Sequence, residues 1–398
     1  MRSPIVSLER PPARDHFLPF HSPAIGDEEI GAVVQVLKSG WLTTGARVQE
    51  FERDFCNFVG SSHALAVNSG TAALHLALAA IGIQQGDEVI LPTMTFAATA
   101  EVVLYLGARP VLVDCEPDTL NMNPNQLEAA LSPKTKAIMP VHFGGQSCDM
   151  DRIVEFAREH RLKVIEDAAH ALPARWQDQM IGTIGDITCF SFYATKTITT
   201  GEGGMATTEN PEWAERMRVL SLHGITHDAW NRYSAEGSWY YEILCPGYKY
   251  NLTDVAASIG IEQLKKCEAF FAARRRIAEA YEDGFADLPE VLTPVCRPGV
   301  QHAWHLYVIQ LQLERLAIRR KEFIEELKKA NIGTSVHFIP LHMHPYYRET
   351  FGYRPKDFTN ASSVFERIIS LPIYPKMTAG DVDDVICAVR SIVEKHRR

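Results

Sequence analysis

The sequence predicts an α/β protein with a large, mostly parallel sheet that helices cover on both faces, followed by a smaller C-terminal α+β domain. From residue 63 to residue 207, short apolar runs typical of strands alternate with helix-like segments. These runs are apolar throughout, as is usual for strands that are buried on both faces. Near residue 253 the alternation ends, and a long helical stretch leads into isolated strands and helices.

The first two predicted helices lie at residues 27–37 and 48–58. Asp27 can cap the first of them, acidic residues occupy its first turn, and Ser39-Gly40 ends it. The other predicted elements are strands at 63–67, 88–91, 110–113, 137–141, 163–166, 187–193, 205–207 and 305–309 and helices at 71–81, 97–106, 126–130, 151–159, 254–285, 321–330 and 381–395. We therefore predict an N-terminal arm (1–25), a large α/β domain (26–252), and a long linking helix with a small C-terminal α+β domain (253–398).

Composition limits the classes of function. The net charge of −9 argues against broad binding to nucleic acid or to anionic membranes. The eight cysteines are scattered and form no C-x-x-C pair, which is typical of reduced thiols in a cytosolic protein. The first residues contain no apolar signal-peptide core, and no apolar run reaches the roughly 20 residues of a membrane span. We expect a cytoplasmic protein that neither enters a membrane nor binds nucleic acid.

One lysine lies in a stretch that suits covalent chemistry. Lys196 follows the apolar run Phe190-Ser191-Phe192-Tyr193 and precedes the turn Gly201-Glu202-Gly203-Gly204. Partial desolvation between a buried strand and a glycine turn would lower the pKa of the lysine and free its amine as a nucleophile. Such an amine can form a Schiff base with pyridoxal phosphate. Taken alone, the stretch fits a surface lysine in a hairpin better. The choice between the two interpretations therefore depends on the residues at the other strand ends.

Three of those strand ends suit a phosphate or a flat ring. Gly70-Thr71 ends a strand and opens a helix, where a close backbone and unpaired N–H groups can hold a phosphate. Ser191 can add a hydroxyl, and Phe96 after the next strand can stack on a heteroaromatic ring. A helix cap, a strand serine and a core phenylalanine are the simpler explanations of each motif by itself.

The fourth strand end contains Glu166-Asp167-Ala168-Ala169-His170. A carboxylate at a buried strand end is costly without a partner. The protonated pyridine nitrogen of pyridoxal phosphate would be such a partner for Asp167, and His170 could bond the ring's phenolic oxygen. A helix cap and a core histidine are the alternatives. Because ligands gather at the carboxyl ends of parallel strands, the coincidence of these weak signals favours a pyridoxal-phosphate site.

These motifs resemble those of the DegT/DnrJ/EryC1/StrS sugar aminotransferase family, within the fold-type I pyridoxal-phosphate enzymes, which have the aspartate aminotransferase fold. The resemblance extends over nearly the whole chain, and its most specific blocks are residues 166–170, 190–204 and 247–264. Within the family, the blocks at 247–254 and 302–306 are most similar to bacterial UDP-4-amino-4-deoxy-L-arabinose aminotransferases. The sequence departs from that subgroup at Phe96, which is often tryptophan there, and in the Ser-Gly-Thr cradle, which can contain alanine.

The resemblance implies an aminotransferase that moves the amino group of L-glutamate to a nucleotide-linked keto-sugar, with C4 as the preferred carbon. It implies a homodimer with shared active sites. The implied roles are Lys196 as Schiff-base and proton-transfer residue, Asp167 against the pyridine nitrogen, His170 at the ring oxygen, Phe96 on the ring, Gly70, Thr71 and Ser191 around the phosphate, Asn251 on the neighbouring subunit's phosphate, and His337 near the substrate. Sugar dehydration is an alternative, although related dehydratases have histidine in place of this lysine. A non-catalytic small-molecule sensor is another.

Two clusters have less specific explanations. The spacing of His337, His342 and His344 without nearby acids fits no strong metal-ligand pattern, so we expect no metal site and place the last two in a loop. The run Arg274–Arg276 is interpreted as a solvated helix face.

Overall fold

The structure, a computed structural model, describes residues 14–226 and 240–398. Its strands are β1 (His63–Val67), β2 (Glu88–Pro92), β3 (Arg109–Val113), β4 (Thr135–Ile138), β5 (Lys163–Asp167), β6 (Arg175–Trp176), β7 (Gln179–Met180), β8 (Ile187–Ser191), β9 (Gly204–Thr208), β10 (Val291–Leu292), β11 (Val300–Gln301), β12 (Tyr307–Leu311) and β13 (Ile368–Leu371). Its helices are α1 (Asp27–Ser39), α2 (Ala46–Val59), α3 (Gly70–Ala80), α4 (Ala97–Tyr105), α5 (Leu127–Ala130), α6 (Met150–His160), α7 (Pro211–Ser221), α8 (Asp254–Lys265), α9 (Cys267–Phe285), α10 (Arg320–Lys329), α11 (Pro345–Phe351), α12 (Thr359–Phe365) and α13 (Ala379–His396).

The large sheet has the strand order β1-β9-β8-β5-β4-β2-β3. Only β9 runs against its neighbours β1 and β8, while β8, β5, β4, β2 and β3 pair in parallel. The mostly parallel sheet predicted from the continuous apolar runs is therefore confirmed. The carboxyl ends of β1, β2, β5 and β8 consequently lie at the same edge of the sheet.

Helix α3 shows how the sequence builds this edge. Its Ala/Leu-rich residues are buried nearly all round because α3 packs against α4, α7, β8 and β9. The Ser69 hydroxyl caps the helix by accepting the Ala72 N–H at 3.0 Å. The first turn of α3, with Gly70 and Thr71, therefore begins directly at the carboxyl end of β1.

A second hydrophobic core lies in the C-terminal part of the chain. It combines residues of α9, α10 and α13 with the antiparallel sheet β10-β12-β13. Leu18, far away in sequence, is buried in the same core and pairs with Asn331 and Gly333 through its backbone. The division into segments 1–25, 26–252 and 253–398 stays a prediction, and residues 1–13 of the arm lie outside the described residues.

The structure corrects several element predictions. The single predicted helix 254–285 is two helices, because the chain breaks at Lys266, which has φ −97° and ψ −3°. The predicted strand 137–141 ends at Ile138, 187–193 ends at Ser191, and 305–309 is shifted to Tyr307–Leu311. Sequence reasoning missed β6, β7, β10, β11 and β13 and helices α7, α11 and α12.

Arg274 is also a correction, because it is fully buried and does not lie on a solvated face. Its Nη1 donates to the carbonyl of Ile373 at 2.7 Å and to those of Trp304 and His305 at 3.3 Å. The residue shares the buried stripe of α9 with Phe271, Ile277 and Tyr281, which lie three to seven positions away. Arg275 and Arg276 are exposed, as predicted.

Across residues 14–226 and 240–398, the helices include none that combines the length and the apolar character needed to cross a membrane.

Candidate active site

The parallel strands bring the predicted site residues together at one edge of the sheet. An ideal Cβ on Gly70, after β1, would lie 2.9 Å from the Cβ of Ser191 at the end of β8. Thr99, in α4 after β2, donates to the carboxylate of Asp167 at the end of β5. Asp167 and His170 in turn interact electrostatically with Lys196. Four motifs distant in sequence thus form one cleft.

Lys196 lies in the turn between β8 and β9. Its N–H donates to the Tyr193 carbonyl at 2.9 Å, and the Thr199 hydroxyl and Thr200 N–H both donate to the Phe192 carbonyl at 3.0 Å. Burial lowers the pKa of Lys196 to about 8, against the opposing influence of Asp167. At neutral pH the amine is therefore unprotonated roughly two orders of magnitude more often than in an ordinary lysine. This is the state in which a lysine acts as a nucleophile.

Asp167 is a buried carboxylate with acceptor capacity left over. Its Oδ2 accepts the Thr99 hydroxyl at 2.8 Å, and its Oδ1 accepts the Ala169 N–H at 3.2 Å. Burial raises the pKa of Asp167, while these two hydrogen bonds, Lys196 and His142 act in the lowering direction. Since a carboxylate has about four acceptor positions, an N–H of a protonated pyridine can be accommodated.

His170 is held at one of its two ring nitrogens. Its Nδ1 accepts the Gly144 N–H at 3.2 Å, so the proton of the neutral ring is on Nε2. Burial, together with the charges of Lys196 and His337, holds the pKa of His170 well below its usual value. The ring packs on His305 with centroids 4.4 Å apart and stacks on Phe338 at 5.8 Å. His170 is thus a fixed neutral donor, which fits a phenolic oxygen.

The predicted phosphate cradle and ring stacker lie after the carboxyl ends of β1 and β2. Gly70 lies so close to Ser191 that a larger residue would fill the space between them. The N–H groups of Gly70 and Thr71 belong to the first turn of α3, where a helix lacks internal acceptors. Phe96 is 62% exposed at the start of α4, and its ring centroid is 6.0 Å from that of Phe338.

The backbone of Asn251 pairs with Val67 at the end of β1, but its side chain bonds to other residues. Its Nδ2 donates to the Thr44 hydroxyl at 2.7 Å, and its Oδ1 accepts from Lys249 Nζ at 2.6 Å. Neither of these bonds, in the part of the chain that the structure describes, goes to Gly70, Ser191 or Lys196. Its predicted contact with a neighbouring subunit's phosphate stays a prediction.

The structure separates the three histidines at 337–344. His337 Nδ1 is 2.8 Å from the Ser370 hydroxyl, and burial together with the charge of Lys196 lowers its pKa to about 4. His342 is fully buried and joins two distant segments, because its Nδ1 is 2.8 Å from the Thr93 hydroxyl and its Nε2 is 3.0 Å from that of Ser362. His342 was predicted to lie in a loop; it lies in the 3-10 turn Leu341–Met343, and its burial was not predicted.

Sequence reasoning missed several residues around the site. Thr95 and Thr99 form a hydroxyl chain to Asp167, and their spacing of four at a helix start was the available signal. His21 Nε2 lies 3.0 Å from the Ala194 carbonyl, and burial lowers the pKa of His21 to about 4. His305, stacked on His170, was quoted only as part of a sequence block.

The chain is similar in sequence to known proteins. Residues 23–390 match the family model described as the DegT/DnrJ/EryC1/StrS aminotransferase family. The chain is 54% identical to the spore coat polysaccharide biosynthesis protein SpsC of Bacillus subtilis, over 96% of this chain and 98% of SpsC. It is 56% identical to an uncharacterised protein of Methanocaldococcus jannaschii, over 96% and 100% of the two chains.

Solved structures agree with this result. Spr1654 of Streptococcus pneumoniae, known in a PLP form, a PMP form and an apo form, superposes with a TM-score of 0.89 at 35% identity, over 96% of this chain and 98–99% of that chain. PseC of Helicobacter pylori, an aminotransferase involved in pseudoaminic acid biosynthesis, has a TM-score of 0.88 at 28% identity, over 96% and 100%.

The fold and the comparisons define a pyridoxal-phosphate-dependent aminotransferase, and the geometry of the cleft fits that cofactor. A lysine of lowered pKa, a buried carboxylate with free acceptor positions, and a glycine-lined helix start lie together, as the cofactor's aldehyde, pyridine and phosphate groups require. The chain belongs to the DegT/DnrJ/EryC1/StrS aminotransferase family.

Proposed function

We propose that the protein transfers the amino group of L-glutamate to a nucleotide-linked keto-sugar. A UDP-linked 4-keto-sugar is the preferred acceptor, and the product is an amino sugar for cell-surface polysaccharide or lipid A. The observation that supports this proposal is Lys196, a half-buried amine of lowered pKa that interacts with the Asp167 carboxylate. The proposed cellular location is the cytoplasm.

The proposed roles follow from the contacts of each residue. Gly70, Thr71 and Ser191 hold the cofactor's phosphate, Phe96 covers its ring, Asp167 accepts its pyridine N–H, and His170 Nε2 donates to its ring oxygen. Pyridoxal phosphate, when bound, supplies an aldehyde that condenses with amines and a ring that withdraws electrons from the bond being broken. Lys196 Nζ takes the proton from the α carbon of the amino acid and later delivers it as a general acid. The same two proton transfers run in reverse on the sugar.

The acceptor class is supported by relatives and by sequence blocks. SpsC is a spore coat polysaccharide biosynthesis protein, and PseC acts in pseudoaminic acid biosynthesis. The blocks at 247–254 and 302–306 resemble UDP-4-amino-4-deoxy-L-arabinose aminotransferases, which favours UDP and C4. Lys196 favours amino transfer over the alternative of sugar dehydration.

We also propose a homodimer with shared active sites. Helix α1 exposes Ile30, Val34 and Leu37, whose spacing of four and three places them on one face of the helix. A second copy of this chain would cover that stripe, and Asn251 would serve the partner's site. His337, which interacts with Lys196, is the proposed substrate contact.

Subunit mixing tests the shared site. Lys196→Ala and Asn251→Asp are each expected to inactivate their own homodimer. If Asn251 serves the partner's site, each mixed dimer contains one intact site, and random mixing restores up to about a quarter of wild-type activity. If mixing restores nothing although mixed dimers form, Asn251 acts within its own subunit.

The first test of function is the absorbance spectrum of the purified protein before and after L-glutamate is added. We expect a visible Schiff-base band that glutamate bleaches in the wild type, and no such band in Lys196→Ala, whose transfer activity falls by roughly 10⁴-fold or more. A panel of UDP-, GDP- and dTDP-linked 4-keto-sugars then identifies the acceptor. A wild-type protein that stays colourless with added pyridoxal phosphate would contradict the proposal and favour a sensor.

A further inference from the structure

We propose that Thr99, supported by Thr95, is a positioning residue that fixes the Asp167 carboxylate and keeps the proton of the Asp167–cofactor pair on the cofactor's ring nitrogen. The inference rests on the proposed pairing of Asp167 with that nitrogen. Neither Thr95 nor Thr99 was among the predicted site residues.

The hydrogen-bond chain has only one possible direction. Thr95 Oγ1 lies 2.7 Å from Thr99 Oγ1, which lies 2.8 Å from Asp167 Oδ2. An ionised carboxylate only accepts, so the Thr99 hydroxyl must donate its single proton to Asp167. The Thr99 oxygen then accepts from Thr95. All three side chains are buried, which strengthens each bond and makes the loss of any member costly.

The chain is anchored on both sides of the cleft. Thr99 belongs to the first turn of α4, and its N–H donates to the Phe96 carbonyl. Asp167 is the last residue of β5, where its N–H donates to the Pro140 carbonyl and its carbonyl accepts the His142 N–H. Thr99 therefore ties the helix that presents Phe96 to the strand that presents Asp167.

Few groups act on the Asp167 carboxylate besides Thr99. The charged or titratable groups near its carboxylate are Lys196 and His142, while Cys189 lies beside it on β8. Among the residues that the structure describes, the hydrogen-bond donors to the carboxylate are the Thr99 hydroxyl and the Ala169 N–H. The Thr99 bond is the shorter of the two, and it is the one that substitution can remove.

The consequence concerns one proton. The Asp167 carboxylate and the pyridine nitrogen share a proton that lies either on the nitrogen, leaving a charged pair, or on the carboxylate, leaving two neutral groups. A hydrogen bond donated to the carboxylate favours its charged form and so leaves the proton on the nitrogen. Without the Thr99 hydroxyl, burial shifts the proton toward Asp167, and the ring withdraws electrons less strongly.

The experiment compares Thr99→Val, which keeps the shape but removes the hydroxyl, with Thr99→Ser, which keeps the hydroxyl. The affinity of each apoprotein for pyridoxal phosphate is measured by titration near neutral pH. Thr99→Val is expected to bind roughly tenfold more weakly or worse, Thr99→Ser within about threefold of wild type, and Thr95→Val between them. Thermal unfolding of each apoprotein shows whether the variant is folded. If Thr99→Val does not fold, Thr99→Ala takes its place in the comparison.

A spectroscopic readout separates positioning from mere packing. The nitrogen NMR signal of isotopically labelled pyridoxal phosphate reports whether the ring nitrogen is protonated. We expect a protonated ring in the wild type and in Thr99→Ser, and a signal displaced toward the neutral ring in Thr99→Val. Unchanged affinity and an unchanged signal in Thr99→Val would overturn the role of Thr99.

The variant Asp167→Asn distinguishes this failure from failure of the proposed function. If Asp167→Asn loses affinity and ring protonation while Thr99→Val loses neither, the pairing of Asp167 stands and the inference about Thr99 is wrong. If Asp167→Asn itself leaves both readouts unchanged, the pairing is wrong, and the inference is overturned together with it.

Discussion

Glu166 and Asp167 are consecutive acids on β5 that are both buried and point to opposite faces of the sheet. Glu166 accepts from the Gly185 N–H and the Thr188 hydroxyl, both at 2.7 Å, and from His142 Nε2 at 2.8 Å. Within residues 14–226 and 240–398, the donors to Asp167 are the Thr99 hydroxyl and the Ala169 N–H. One carboxylate is nearly saturated by fixed donors, while its neighbour is not.

This difference separates a structural acid from a functional one. The partners of Glu166 are themselves held in place, since His142 Nδ1 accepts the Cys148 N–H at 3.1 Å and therefore carries its proton on Nε2. Around Gly185 there is no room either, because a Cβ there would lie 2.9 Å from Glu166 Oε1. Asp167 instead faces the cleft of Lys196 with acceptor positions to spare. Unused capacity on a buried charge, more than burial alone, indicates a ligand.

The largest effect is expected from Asp167→Asn, which removes the carboxylate that we assign to the cofactor. Transfer activity should fall by roughly 10²–10³-fold, because the ring nitrogen loses its anionic partner. The apoprotein should change little in stability near neutral pH, because removal of a buried charge offsets the repulsion that one amide N–H meets from the Thr99 or Ala169 donor. Steady-state kinetics and urea unfolding measure the two quantities. A large loss of apoprotein stability would contradict the functional assignment.

The stability of the apoprotein should depend on pH through Lys196, which interacts electrostatically with Asp167. The pKa of Lys196 is lowered from 10.5 to about 8 in the folded apoprotein. The unfolded chain therefore binds more protons between these values, and the free energy of unfolding should rise with pH across that window, by about 3 kcal/mol at most. Lys196→Met, which cannot titrate, is the matched control. Equal pH slopes in the two apoproteins would show that Lys196 has an ordinary pKa.

The smallest effect is expected from Glu166→Gln, which removes the carboxylate that we assign a structural role. The new amide group would place a donor against His142 Nε2–H, so the apoprotein should lose about 2 kcal/mol of stability in urea unfolding. The affinity for pyridoxal phosphate should stay within about threefold of wild type, because Glu166 faces away from the cleft. A variant with normal stability and weakened cofactor binding would reverse the roles we assign to the two acids.

Much of the fold and site could be predicted because apolar runs and strand-end motifs are local signals. Strand β1 was predicted without error, and the residues around Lys196, Asp167 and Gly70 were identified from their positions at strand ends. The membership in the family was predicted from blocks of sequence and is confirmed. The particular sugar, the subunit contact of Asn251 and the domain limits stay predictions.

What sequence reasoning missed depends on partners that are distant along the chain. Arg274 is buried because the carbonyls of Trp304, His305 and Ile373 converge on it, and no local pattern shows that convergence. His342 is buried because Thr93 and Ser362 meet its two nitrogens. Thr99 was not recognised because its hydroxyl acquires meaning only once β5 places Asp167 beside α4.

The N-terminal segment has a consequence for the order in which the protein can form on the ribosome. Leu18 pairs with Asn331 and Gly333, Arg14 forms an ion pair with Asp381, and His21 contacts the Ala194 carbonyl. Roughly 300 residues separate Leu18 from these backbone partners, which at about 5–20 residues per second is a delay on the order of tens of seconds. The segment around Leu18 therefore reaches its place long after its synthesis, and until then Leu18 is exposed to chaperones and to other nascent chains.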